Sequence, residues 1–358
     1  MAYTTIDNPE LFFQTVLFSG NAGTNAITLD GSENMQPDLV WLKKRNGTAN
    51  HHLVNSVAGA GRYLYTSLSN AEGGDGADGG GNDLLASFNS DGFTLDGGAD
   101  SNASGATGVA WCWKAGTSFS NDASATSVGT LDSTGSINTT HGFSIISYSG
   151  NATSGATVAH GLGAAPGMIL IKNRSAGSTN WNLFHKSLTG NTALFPDLVN
   201  AADTNSKYFN DTNPTSTVFT LGNYNDANGN GNNIIAYCFA EKQGYSKFGK
   251  YTGNGNADGT FVYTGFRPAF LLTKDSSASR DWAIIDNKRD TFNIIGKRLF
   301  SNNNDAENTE ASVVDFTANG FKIRNTTSSH NVDGNTYIYW AFAESPFVNS
   351  NGVPTNAR

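Results

Sequence analysis

Pro37–Lys43 reads PDLVWLK, Pro166–Lys172 reads PGMILIK and Pro268–Lys274 reads PAFLLTK. In each stretch a proline opens an apolar, strand-like run, and a lysine follows six residues after the proline. The same order of motifs surrounds all three. Before each stands a run ending in an aromatic, a hydroxyl residue, Gly and Asn: FQTVLFSGN (Phe13–Asn21), FSIISYSGN (Phe143–Asn151) and YSKFGKYTGN (Tyr245–Asn254). After each come HHLVN (His51–Asn55), WNLFH (Trp181–His185) and WAIID (Trp282–Asp286). FTL (Phe93–Leu95), FTL (Phe219–Leu221) and FKI (Phe321–Ile323) follow, and the closing runs are VAWCW (Val109–Trp113), IAYCF (Ile235–Phe239) and YWAFA (Tyr339–Ala343). From the proline to the FTL-type phenylalanine is 56, 53 and 53 residues, and from there to the Cys, Cys or Ala slot is 19, 19 and 20. The chain is therefore an internal repeat of three copies.

Each copy has several short apolar or alternating runs separated by turn residues, the pattern of an all-β protein. The expected fold is three tandem homologous β-sandwich repeats, jelly-roll or lectin-like. A β-propeller is the weaker alternative, because its blades are shorter and three are too few. The expected division is 1–114 for an N-terminal strand and repeat 1, 142–242 for repeat 2, 244–346 for repeat 3 and 347–358 for a tail. Residues 115–141, rich in Ser, Thr and Gly, are a linker or an added strand. The closing runs, apolar at consecutive positions, are expected as central strands covered on both faces by a second sheet or a neighbouring repeat.

Forty-one glycines and an 11% aromatic content suit a folded, turn-rich protein rather than a disordered one. A net charge of −8 with no basic stretch argues against a nucleic-acid role. MAYTTIDNPELFFQTVLF (Met1–Phe18) has no signal-peptide pattern, and no run reaches the length of a membrane span, so a soluble product made in a cytoplasm is expected.

Candidate chemistry is sparse. Cys112 and Cys238 occupy one slot of their copies, where copy three has Ala341, and they read as core residues. His51 aligns with Trp181 and Trp282, so packing is its expected role. No H-E-x-x-H or G-x-S-x-G pattern occurs, and an enzyme is not expected. Lys43, Lys172 and Lys274 read as guards of strand edges, with ligand contact as the alternative. Two stretches resemble parts of calcium motifs. EGGDGADGGGND (Glu72–Asp83) would offer Asp75, Asp78 and Asp83; DANGNG (Asp226–Gly231) would offer Asp226, Asn228 and Asn230. Neither motif is complete, and the first reads as a variable connecting loop.

Binding is expected on the polar loops before the closing runs. Their candidate residues are Asp96, Asp100 and Asn102 in copy one; Asn223, Asn225, Asp226 and Asn228 in copy two; and Asn325, Asn331 and Asp333 in copy three. Such oxygen and amide groups suit carbohydrate hydroxyls.

MAYTTID, QPDLVWLKKR, SFNSDGFTL (Ser87–Leu95), VAWCWKAG (Val109–Gly116), HGLGAAPGMILIKNR (His160–Arg174) and IAYCFAE together resemble a family of marine bacteriophage tail-fibre or virion structural proteins. The likeness runs through copies one and two; copy three diverges, with TKD (Thr273–Asp275) in place of the K-N-R ending. The resemblance implies a virion location, other virion proteins as partners and no catalytic residues. The expected role is a tail-fibre or receptor-binding component touching host-surface glycan, as a homo-oligomer with a trimer favoured. The alternative is a capsid decoration or tail adaptor, in which three copies in one chain mimic a threefold assembly; a polysaccharide depolymerase ranks behind both.

Overall fold

The computed structural model describes residues 2–74, 84–97 and 100–355. The chain is all-β, built of several antiparallel sheets. Its three sequence copies share one pairing order: opening strand, closing strand, lysine strand, then the strand that follows. In copy one these are Phe13–Ser19, Thr107–Trp113, Leu39–Lys44 and His52–Asn55. In copy two they are Phe143–Ser149, Asn233–Phe239, Met168–Asn173 and Asn182–His185. In copy three they are Ser246–Thr252, Thr336–Pro346, Phe266–Asp275 and Ala283–Asp286. The register agrees as well: Leu39 faces Trp113, Met168 faces Phe239 and Phe270 faces Phe342.

Period-two alternation explains why the closing runs are apolar at every position. Ala110 and Cys112 face a local core with Phe93 and Leu95, while Val109, Trp111 and Trp113 face the opposite way. Copy two sends Ile234, Ala236 and Cys238 to its local core, and Ile235, Tyr237 and Phe239 away from it. Copy three sends Tyr337, Tyr339 and Ala341 inward, and Ile338, Trp340 and Phe342 away. The three outer sets do not meet solvent. They join one central core contributed by all three copies. Each closing strand is thus covered by its own copy on one face and by neighbouring copies on the other.

The local covers differ. Copy one uses a small sheet of Asn25–Ile27, Gly92–Leu95 and Leu85–Asn89, and copy two pairs Ala156–Ala159 with Val218–Leu221. In copy three the strands run as one eight-stranded sheet that continues through Ile295–Phe300, Asn308–Thr317 and Gly320–Ile323 to Phe261–Tyr263. Residues 115–141 include two strands, Thr117–Asn121 and Ser133–Asn138, which extend the copy-two sheet beyond its opening strand. This segment also reaches the small sheet, where Leu131 bridges Val158 and Ser133 Oγ donates to the Ala159 carbonyl at 3.0 Å. A short helix, Ala123–Thr126, stands between the two strands.

The repeated lysines do not guard edges. Lys43, Lys172 and Lys274 are fully buried on interior strands, each flanked by two neighbours in its sheet. Their role follows from what their ammonium groups meet.

Candidate functional site

The three copies meet through one contact set, used cyclically. Lys43 of copy one donates to the Asn304 carbonyl of copy three at 3.3 Å. Lys172 of copy two donates to the Ser69 carbonyl of copy one at 3.1 Å. Lys274 of copy three donates to the Val199 carbonyl of copy two at 3.0 Å. Carbonyls that follow each lysine closely in its own copy complete the shell: Lys44, Thr179, and Ala278 with Arg280. A buried ammonium is tolerated only when its donors are satisfied. Burial still pushes each of the three down to about 8, against the pull of nearby carboxylates such as Asp100, Asp197 and Asp275.

The backbone repeats the pattern. Ala49, Thr179 and Arg280 donate to the same three carbonyls at 2.9, 3.1 and 2.8 Å. Glu307, Glu72 and Ala202 donate to the carbonyls of Arg45, Arg174 and Ser276 at 2.8, 3.0 and 3.0 Å. Two of these junctions add a forked ion pair. Arg45 meets Glu307 with both bonds at 2.9 Å, and Arg174 meets Glu72 at 2.7 and 2.8 Å. At the third, Ser276 and Ala202 stand in place of the pair. Trp181 donates its indole N–H to the Tyr65 carbonyl at 2.8 Å, and Trp282 donates to the Phe195 carbonyl at 3.1 Å. His51, in the same slot, lies beside the Phe300 carbonyl, accepts the Trp41 indole N–H at 3.0 Å and is held neutral by burial.

These contacts close a ring: one on three, three on two, two on one. At its centre Trp113, Phe239 and Phe342, which share one slot of the three closing runs, form a triangle of rings. Their centroid separations are 6.4, 5.5 and 5.7 Å. One further slot sits at each junction. Asp286 accepts the Trp111 indole N–H at 3.0 Å, Asn55 donates to the Tyr237 hydroxyl at 2.9 Å, and His185 lies 3.3 Å from the Tyr339 carbonyl. Each polar residue is matched to a different partner on the next copy.

The loop candidates divide into two groups. Asn102, Asn228 and Asn331 are fully buried and play one structural part. Asn228 donates to the carbonyls of Thr153 and Gly222 at 3.0 and 2.8 Å, and accepts the Asn151 N–H at 2.9 Å. Asn102 donates to Gly23 and Gly97, and Asn331 to Asn256 and Asn325, while each also receives the N–H of its opening-strand asparagine, Asn21 or Asn254. This explains the Gly-Asn that ends every opening run. A Cβ on Gly20, Gly150 or Gly253 would stand 2.2–2.4 Å from a backbone oxygen of the loop. Asn325 is also buried. Asp100 lies 3.3 Å from His52, and Asp96, Asn223, Asn225 and Asp333 are exposed. The amides of Asn102, Asn228 and Asn331 each tie their loop to their own opening run.

Of the calcium candidates, Asp75, Asp78 and Asp83 lie outside the described residues. Asp226 is buried and accepts the Asn180 N–H at 2.8 Å, Asn228 is spent as above, and Asn230 is exposed. Burial raises the Asp226 carboxyl above its ordinary value. No group of three potential metal-ligating side chains converges among the described residues. Cys112 and Cys238 are free and buried in separate local cores.

Sequence reasoning missed a cleft where copy two hands over to copy three. Glu241, three residues past the Cys238 slot, lines two adjoining clefts of about 360 and 230 Å³. Its carboxylate accepts the Phe248 N–H at 2.7 Å and pairs with Lys186 and Lys247. Tyr263 and Tyr3 line the larger cleft, with Tyr263 53% exposed. The available signal was Tyr263 itself, one position past a buried Val262, where copy two has the covered Ala159 after Val158.

One family model matches residues 8–346, a span that takes in all three copies. The chain belongs to the family described as a domain of unknown function, DUF7483. The DUF7483 match treats the copies as a single unit, in keeping with their shared central core. No curated protein and no solved structure matches the chain.

Proposed function

We propose that this chain is a non-enzymatic structural protein of a bacteriophage particle, a decoration or adaptor that seats on a threefold position of other virion proteins. The observation that carries this reading is the cyclic junction set, in which equivalent lysines, backbone groups and aromatic rings of three copies close on one another. We read the copies as β-sandwich lobes of about 1–114, 142–242 and 244–346. A closed ring of three homologous lobes presents three similar surfaces, the geometry needed to match a threefold partner. The chain would supply by itself the symmetry that a fibre obtains from three subunits, so one copy per threefold position replaces the expected homotrimer. The resemblance of its motifs to marine phage virion proteins supports the particle location.

The test is where the protein sits. Antibody-labelled particles of a phage encoding it, imaged by electron cryomicroscopy, are expected to show one ring-shaped density on each threefold-related position. Purified particles that lack the protein would overturn the reading. A second reading, a tail-fibre or receptor-binding component that contacts host-surface glycan, is favoured by the open cleft around Glu241. Labelling confined to distal fibre tips would select it over the first.

A further inference from the structure

Three equivalent spaces occur where the closing strand of one copy passes the opening strand of the next. They are treated differently. After copy one, the space at Ala115 is filled by the added segment: Gly116 N donates to Ser136 Oγ at 2.9 Å, and Asn138 donates to the Ala115 carbonyl at 3.1 Å. After copy three, Glu344 is engaged by Arg267 and Asn287, and only about 30 Å³ remains. After copy two, the space at Glu241 stays open as the two clefts of about 360 and 230 Å³.

The open junction also carries side chains that its equivalents lack. Tyr263 stands 53% exposed at the cleft, whereas its counterpart Ala159 is covered by the added segment. The Tyr263 hydroxyl is within 3.0 Å of the Tyr3 hydroxyl, which donates to the Gly265 carbonyl at 2.8 Å. Thr4 donates to the Gln243 carbonyl at 2.7 Å and holds the N-terminal segment at this rim. Both phenols are thus placed before any ligand arrives, so little ordering cost remains for a ring that stacks on them. Lys186 and Lys247, with side chains 39% and 41% exposed, flank the one carboxylate of Glu241. In a chain of net charge −8, this junction carries a local excess of one positive charge.

We propose that this cleft binds an acidic saccharide. The apolar face of a sugar ring would stack on Tyr263, its hydroxyls would meet Glu241 and the Gln243 side chain, and its carboxylate would face Lys247 and Lys186. The cleft's two lobes, shared at Glu241, suit a chain longer than one sugar unit. This assignment is independent of a threefold seat, because a ring docked on other virion proteins can do so with the cleft empty. It deepens the receptor-binding reading of the preceding section.

The experiment is calorimetric titration of the full chain with hexa-galacturonate, and with maltohexaose as a neutral chain of equal length. Saturable binding of the uronate is expected, weakened at least tenfold by raising salt from about 0.05 to 0.5 M. Tyr263→Ala should weaken it about tenfold, and Lys247→Gln by a similar factor. Phe261→Ala, which removes a neighbouring exposed ring absent from the cleft lining, should leave it unchanged. Circular dichroism and melting curves establish that each variant is folded. Absence of saturable uronate binding, equal binding of maltohexaose, or wild-type affinity in Tyr263→Ala would each overturn the assignment, whatever the particle imaging shows.

Discussion

The ring contains its own control for one of its junctions. Arg174–Glu72 and Arg45–Glu307 are forked ion pairs, while the equivalent third junction manages with Ser276 and Ala202. All three keep the same backbone bond at 2.8–3.0 Å. The side chains of Arg174 and Glu72 are only 17% and 11% exposed, so removing one strands the other in a poorly solvated place. Glu72→Ala or Arg174→Ser alone should cost about 1.5 kcal/mol, a figure between exposed and fully buried pairs. Making both changes rebuilds the chemistry of the third junction and should cost only about 1 kcal/mol. The expected coupling is therefore about 2 kcal/mol, within the range seen for contacting residues. Urea unfolding of parent, singles and double at pH 7 measures it, and 1 M salt should shrink the coupling. If the double variant loses the sum of the two singles, the pairs are not what distinguishes these junctions, and the reading of the third as their neutral replacement fails.

Three further outcomes are expected. Acid should destabilise the chain between pH 6.5 and 4. His141 and His330 are held down to about 3, His160 and His185 to about 4, and His51 lower than its ordinary value, all chiefly by burial. Below pH 6.5 the unfolded chain therefore binds protons that the folded chain refuses. Asp197, raised to about 7, and Asp226, also raised, act the other way. Unfolding near pH 5 should take up protons, and flat or rising stability from pH 6.5 to 4.5 would contradict this. Asn228→Ala should lower stability by about 2–4 kcal/mol, because two carbonyls and one N–H lose their partner; a melting curve within a degree of the parent would show that the loop is held otherwise. Trp113→Ala should cost about 3–5 kcal/mol by opening a cavity in the central triangle. A loss below 1 kcal/mol in urea would mean that the three copies stand without their shared centre.

Much of the fold was legible because its signals are local. Alternation, turn residues and the recurring proline, lysine and FTL slots need only neighbouring residues to be read, and they mark strands wherever the pleat demands them. The closing runs even showed that both faces are covered, because every position of Val109–Trp113 is apolar and buried. The lysines were misread for the same reason. A lysine after an apolar run looks like an edge guard until its distant acceptors are known, and Asn304, Ser69 and Val199 lie far from them in the chain. Asn102, Asn228 and Asn331 read as ligand candidates because an amide that binds a sugar and one that binds two backbone carbonyls have the same composition. Their recurrence opposite Gly-Asn was in the sequence, but the closeness of loop to glycine is a distance and no spacing expresses it.

The sequence by itself determined the all-β class, the threefold repeat and the alternation that gives each closing strand two apolar faces. The tertiary structure decided what covers the second face. It set three copies around Trp113, Phe239 and Phe342, turned repeated lysines into junction donors and left one of three equivalent clefts open. Strand formation follows from short-range periodicity. Closure depends on hydrogen bonds and packing between distant residues, the three junction lysines reaching carbonyls 75, 103 and 261 positions away, whose pairing becomes defined only once the chain has folded.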